Sequence, residues 1–308
     1  MRGFGGFFAY RLFRTLIALW LVSTVVFVVM RLSGDPVPLI LPPDAPIAEM
    51  ERVRRDLGLD RPLPVQYAVF IGHVVRGDFG RSIHFRQPAL EVALSYLPAT
   101  FELGLAAFVL AVVVAFPVGV LSATRRNTPL DHAAMGLALV GQSAPTFFIG
   151  ILFILVLSLR LDLFPTSGRG DWRHLVLPAL TLGAFALASI ARITRSAVLE
   201  VQRADFIRTA RAKGVGEFLV VAKHTLKNAA LPILTITGLQ FGTLLGGAVV
   251  TETVFAWPGM GRLAIQSIYN RDYPVVQCVV FISAALFVVI NFAIDMLYGV
   301  LDPRIRAR

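Results

Sequence analysis

Two acidic residues stand inside otherwise apolar stretches of the chain. Glu252 lies between Thr251 and Thr253 near the outer end of one, and Asp295 lies near the inner end of the last. An ionisable side chain in a membrane span is costly and marks function by default. Three roles are open to such acids: lining a polar solute path, relaying protons, or a structural charge satisfied by hydroxyls, backbone or an interfacial cation. Both lie close to interfaces, where the cost is smaller. Other reactive patterns do not occur in the sequence. The five histidines (His73, His84, His132, His174, His224) are scattered, with no HExxH spacing and no paired cysteines. There is no glycine-rich phosphate loop ending in Lys-Ser or Lys-Thr, and no Gly-x-Ser-x-Gly elbow. A metal site, or ATP cleavage of that kind, is not expected of this chain.

A different chemistry is written in the segment from Asp205 to Pro232, which carries Arg208, Arg211, Lys213, Lys223 and Lys227 against Asp205 and Glu217. It separates two apolar stretches. Ala204–Lys213 suits a short helix, with Asp205 near its start and Lys213 in its last turn, both favourable to the helix dipole. Gly214 supplies a stop, because glycine accepts the left-handed conformation. Phe206 shares a face with Ala210, and Ile207 with Arg211. The segment thus reads as a rigid stub with an apolar edge and a cationic edge, fit to dock a soluble partner. Glu217–Asn228 reads as a second helix returning to the bilayer, and Pro232 as the opening of the next span.

The elements that hold these groups are membrane helices. Of 308 residues, 56% are hydrophobic and 16% charged, with mean hydropathy +0.73. A soluble domain carries about 25% charged residues. The apolar residues come in blocks, six of them long enough to span a bilayer: Leu12–Met30, Ala99–Ala123, Ala133–Leu159, Leu175–Ile190, Leu231–Phe255 and Val275–Val300. The fourth is expected to continue as helix through Arg192 to Val201. With both termini inside, the inner segments hold sixteen cations against five acids, while the outer side balances. The net charge of +10 is therefore a topology signal and not a nucleic-acid footprint. Met30–Gly34 lacks a small-x-small cleavage site, so the first stretch is expected to remain as an anchor. The single cysteine, Cys278, excludes an intrachain disulfide.

Residues 31–98 form an external segment too rich in proline for one long helix. Ile47–Leu57 and Val65–Val75 have helical periodicity, and Gly77–Gly80 reads as a tight turn. The segment is expected to be a small ordered cap. Within the membrane, Ala107, Ala111, Ala115, Gly119 and Ala123 recur every four residues, as do Gly238, Gly242 and Gly246. Small stripes of this kind allow helix backbones to approach closely.

Several of these stretches are familiar together. RTARAKG (208–214) followed by Leu231-Pro232 resembles the coupling loop of ABC importer permeases, most closely the first-permease type of the dipeptide/oligopeptide/nickel family. So do GLDRPLPVQY (58–67), RGDFGRS (76–82), LPATFEL (97–103), VLPALTLG (176–183), ETVFAWPGMGRL (252–263), RDYPVVQ (271–277) and LDPRIR (301–306). The resemblance implies an all-α integral membrane protein of the type I ABC importer permease fold, in the bacterial inner membrane. It implies six transmembrane helices with both termini cytoplasmic. Residues 1–98 would be the first span plus the extracytoplasmic cap, and 99–308 a five-helix core with a cytoplasmic coupling loop at about 192–230. It implies a second permease subunit, two ATPase subunits and an extracytoplasmic solute-binding protein as partners. ATP and magnesium would act on the ATPases, with no cofactor on this chain. The ATPase-coupling positions would be Asp205, Arg208, Thr209, Ala210, Arg211, Lys213 and Gly214. Arg208 stands where the general pattern has Glu, so that contact does not carry over. The expected solutes are dipeptides and oligopeptides, with nickel or a glutathione-like peptide as the alternative. A proton-coupled secondary transporter using Glu252 and Asp295 is the rival from another class.

Overall fold

The computed structural model describes residues 4–32, 34, 37–41, 45–56, 58–246 and 248–301. In chain order its helices are α1 (Phe4–Leu32), α2 (Val37–Ile40), α3 (Ile47–Asp56), α4 (Leu63–Val75), α5 (Ala89–Thr124), α6 (Pro129–Ser143) and α7 (Thr146–Phe153). These are followed by α8 (Trp172–Gln202), α9 (Asp205–Ala212), α10 (Glu217–Leu219), α11 (Leu226–Gly246), α12 (Val249–Val254), α13 (Met260–Tyr269) and α14 (Tyr273–Leu301). Two wider π-helical stretches, Ile154–Arg160 after α7 and Val220–Thr225 before α11, complete the list. Among the described residues, four helical segments are long and apolar enough to cross a membrane: Phe8–Val29, Ala89–Thr124, Trp172–Gln202 and Tyr273–Ile294.

The third expected span is not a single rod. α6 and the helix from Thr146 to Arg160 meet at a bend of 112°. Pro145 explains the break: its ring bars the helical conformation at the residue before it. Ala144 is accordingly extended, at φ −76° and ψ 135°. Pro232 also departs from expectation. It lies inside α11 instead of opening a span, because the returning segment and the span are one continuous rod. Membrane helices tolerate such a proline where neighbours re-satisfy the freed backbone group. Residue 247, between α11 and α12, lies outside the described residues.

The chain forms two compact units, residues 100–257 and the described residues of 1–99 with 258–308. In the latter, Ala89, Val92, Ala93, Met260, Leu263, Val275, Cys278 and Val279 form a buried cluster. The cap is ordered by α3 and α4, and the turn after α4 places Gly77 and Gly80 at φ of 73° and 80°. Asp272 is fully buried and accepts hydrogen bonds from the Ser82 hydroxyl and from the His84 N–H at 3.1 Å. That bond ties the loop before α5 to the loop before α14.

In the 100–257 unit, the alanine stripe of α5 packs on α8. Ala107, Ala111 and Ala115 have no exposed surface. A methyl group added at Gly119 would meet the Ala191 carbonyl oxygen and Thr194 Cβ, both at 2.6 Å, and one at Gly183 would meet the Ala107 carbonyl at 2.9 Å. The stripe of α11 is less enclosed: Gly242 is buried, Gly238 half-buried and Gly246 exposed.

Candidate functional site

The stub around α9 is built by local rules. Ala204 is extended and Asp205 begins the helix. At the other end Gly214 takes φ +78°. Its N–H donates to the Arg211 carbonyl at 2.9 Å, and the Val215 N–H donates to the Ala210 carbonyl at 3.2 Å. This paired closure satisfies carbonyls that a helix end leaves open, and it needs a left-handed residue between them. Ile207 and Ala210 turn inward onto Val220, with Val201 and Val215 packed beside them. The faces therefore divide differently from the sequence expectation. Ile207 pairs with Ala210 three residues on, whereas Phe206 points outward and is 46% exposed.

Asp205, Arg208, Thr209, Arg211, Lys213 and Gly214 are exposed, and Ala210 is buried. The Arg211 guanidinium reaches both carboxylate oxygens of Glu217, at 3.0 and 2.6 Å. That hydrogen bonding holds the Glu217 carboxyl below its ordinary pKa and raises that of Arg211. The bridge locks α9 to the start of the returning segment. Phe218 and Leu219, beside it, are exposed.

A second polar cluster pins the helices from which the stub projects. Asp131, 1% exposed, receives the Arg195 Nε at 2.7 Å and Nη2 at 2.8 Å. It also accepts the Asn127 N–H at 2.9 Å and the Ser122 hydroxyl. Thr128 caps α6 from the Asp131 N–H. This one carboxylate thus joins α5, α6 and α8 a short distance before the stub. From the sequence, Asp131 and Arg195 enter only the count of inner-side charges. Their partnership spans 64 residues and leaves no local signal.

Glu252 is fully buried, and its carboxylate accepts the Thr100 hydroxyl at 2.7 Å. α12 then ends in the same kind of closure as α9: the Trp257 N–H donates to the Glu252 carbonyl at 2.8 Å across Ala256, whose φ is +49°. Phe255 and Trp257 are buried at this corner. The Arg169 guanidinium lies 5.9 Å from the Trp257 ring and donates to Glu102 at 2.6 Å. The Glu252 site is thus a packed corner with an extended polar rim. Asp295 lies in α14, but its side chain is outside the described residues. Among the described residues, no three of His, Cys, Asp and Glu come together as a metal site would require.

The chain matches two family profiles. Residues 115–307 match the binding-protein-dependent transport system inner membrane component, and residues 5–106 match the N-terminal part of such membrane components. It is 45% identical over 298 residues to the glutathione transport system permease protein GsiC of Escherichia coli (strain K12), covering 96% of this chain and 97% of that protein. The protein of the same name from Pectobacterium atrosepticum is 44% identical over 302 residues, covering 97% and 98%. Among solved structures, the inward-facing MetNI methionine ABC transporter is similar with a TM-score of 0.58 at 21% identity, over 68% of this chain and 96% of that chain. An amino acid ABC transporter with histidines is similar with a TM-score of 0.52 at 20% identity, over 70% and 94%. At such identities these two speak for the fold alone.

Proposed function

The chain belongs to the inner membrane components of binding-protein-dependent transport systems and is a multi-pass permease subunit of an ABC importer; from that premise we propose that its solute is a short peptide, glutathione before others. The support for the solute is the name carried by relatives 44–45% identical over nearly the whole chain. This moves the glutathione-like peptide ahead of the general dipeptide and oligopeptide reading.

The proposed assembly has a second permease, two ATPase subunits that bind ATP and magnesium, and a solute-binding protein on the far side of the membrane. This chain contributes six spans with both termini cytoplasmic, the fifth being α11 with α12. Residues 1–98 act as anchor and cap, and 99–308 as the permease core. α9 is the coupling element: Asp205, Phe206, Arg208, Thr209 and Lys213 face the ATPase, while Ala210, Arg211 and Gly214 fix its shape. The observation that carries this role is the stub's construction. It is an eight-residue helix closed by Gly214, seated through Ile207 and bridged by Arg211 to Glu217, a construction suited to moving as one body. A push on its exposed face is therefore transmitted to α8 and α11 and not absorbed by the loop. Glu252 serves as a structural charge at the α12 corner, in keeping with its burial and its Thr100 partner.

The test is uptake by the chain reconstituted with its cognate partner subunits and binding protein. Labelled glutathione is expected to accumulate with ATP hydrolysis, with dialanine competing weakly. Accumulation of nickel, or of dialanine with no competition by glutathione, contradicts the solute assignment.

A further inference from the structure

The unit formed by residues 1–99 and 258–308 holds a cavity of about 880 Å3 that the transport reading does not use. Among the described residues, four arginines line it, Arg31, Arg61, Arg81 and Arg86, against one acid, Asp78. Asp78 is already engaged by His73 Nδ1 at 2.8 Å and by the Gly80 N–H at 2.9 Å. The cavity therefore offers positive charge to whatever enters it.

Two buried atoms in its wall lack partners among the described residues, Arg31 Nε and Gln66 Oε1. Gln66 is only 8% exposed. Its amide orientation is fixed, because Nε2 donates to the Leu59 and Arg61 carbonyls at 3.1 and 2.6 Å. Oε1 is thus an unpaired acceptor in the wall of the cavity, and Arg31 Nε an unpaired donor. Buried polar groups are ordinarily paired, so an unpaired donor and acceptor in one cavity specify a ligand that accepts at one point and donates at another.

The cavity's level in the fold narrows the choice. α1 and α14 pack on each other, with the Phe8 and Phe292 ring centroids 5.6 Å apart. At the opposite ends of these two helices, Arg31 follows the apolar stretch that closes at Val29, and Tyr273 begins the other one. The cavity therefore borders the ends of two spans, the level at which arginine and tyrosine meet phosphate. α4 lies in the same unit. It is apolar but only 13 residues long, too short to cross, and exposes Leu63, Val65, Val69 and Val75. Such a helix suits the plane of the interface.

We propose that this cavity binds the headgroup of an anionic phospholipid that also carries a hydroxyl donor, phosphatidylglycerol being the type. The phosphate oxygens accept from Arg31 and the neighbouring arginines. A headgroup hydroxyl donates to Gln66 Oε1. The acyl chains lie along the exposed valines of α1 (Val28, Val29) and of α4. A choline headgroup has the phosphate but no donor and no net charge, so it leaves Gln66 unpaired.

The full chain, purified in detergent, is incubated with vesicles of phosphatidylglycerol or of phosphatidylcholine, and retained lipid is counted by native mass spectrometry. The wild type is expected to keep phosphatidylglycerol in preference. Arg31→Gln and Gln66→Leu each lower its retention roughly fivefold, the equivalent of one surface arginine's attraction to an anionic lipid. Arg61→Gln and Arg86→Gln, at exposed positions where folding is not at stake, give the same direction. Equal retention of the two lipids, or retention unchanged in all four variants, overturns the proposal. So does displacement of the bound lipid by millimolar inorganic phosphate or dialanine, which would assign the cavity to a soluble anion or peptide.

Discussion

Gly119 and Gly214 both lie in the 100–257 unit, and for opposite reasons neither tolerates a side chain. At Gly119 the backbone is ordinary helix, and the obstacle is α8, whose Ala191 carbonyl and Thr194 Cβ occupy the place of a methyl at 2.6 Å. At Gly214 nothing lies within 4 Å of an added methyl, and the obstacle is the backbone, held at φ +78° to close α9. The first is a seam between spans, set by a partner distant in sequence. The second is a projection set by its own ten residues. The α5–α8 seam closes the frame tightly, and α9, on the proposed function, is the handle outside it. A permease driven by a separate engine needs both, since a soft frame or a soft handle would each dissipate the stroke.

The comparison breaks most severely at the ion pair that ties α8 to α6 within the frame. Arg195→Leu leaves Asp131 buried with only Ser122 and the Asn127 N–H. Removing one partner of a buried pair costs about 3 kcal/mol or more. The purified chain should then unfold at clearly lower temperature, and Asp131→Asn in the same background should restore part of the loss. Next comes one substitution placed at both glycines. Gly119→Ala should cost about 1–3 kcal/mol through overpacking of the seam. Gly214→Ala should cost about 1 kcal/mol through left-handed strain alone. Thermal unfolding of the two variants, read with protease sensitivity at the loop, should show a global loss in the first and a local loosening in the second. If Gly119→Ala is silent, the seam is looser than described.

The smallest effect is the pH response of the stub. Arg211 depresses the pKa of Glu217, so the bridge stabilises the loop above the free carboxylate's pKa of about 4.3 and is lost as pH falls through the lower folded value. Both groups are largely exposed, which keeps the contribution below about 1 kcal/mol and sensitive to salt. Loop cleavage by an acid-active protease should rise only below about pH 4.3 for the wild type, and Arg211→Gln should flatten that rise.

What the sequence discloses follows the same division. The α9 helix, its stop at Gly214 and the small stripe of α5 were legible because each depends on residues within a few turns. The break before Pro145 had a local signal too, but the apolar run on both sides of it concealed the bend. Phe206 was placed on one face with Ala210 by its spacing of four, whereas Ala210 packs beside Ile207 on Val220 and Phe206 stays outside. Asp131 with Arg195, and Thr100 with Glu252, lie 64 and 152 residues apart. Nothing in either neighbourhood foretells its partner, so a buried acid read from sequence keeps several roles until its contacts are known.

The most direct measurement is ATP hydrolysis by the assembled transporter, with and without solute-loaded binding protein, carrying Gly214→Pro in this chain. Proline cannot adopt φ +78° and has no N–H for the Arg211 carbonyl. The handle should lose its shape while the spans remain inserted. Loss of the stimulated rate, with basal hydrolysis and assembly intact, is the expected result. Stimulation equal to that of the wild type would contradict the claim that this chain is driven through α9.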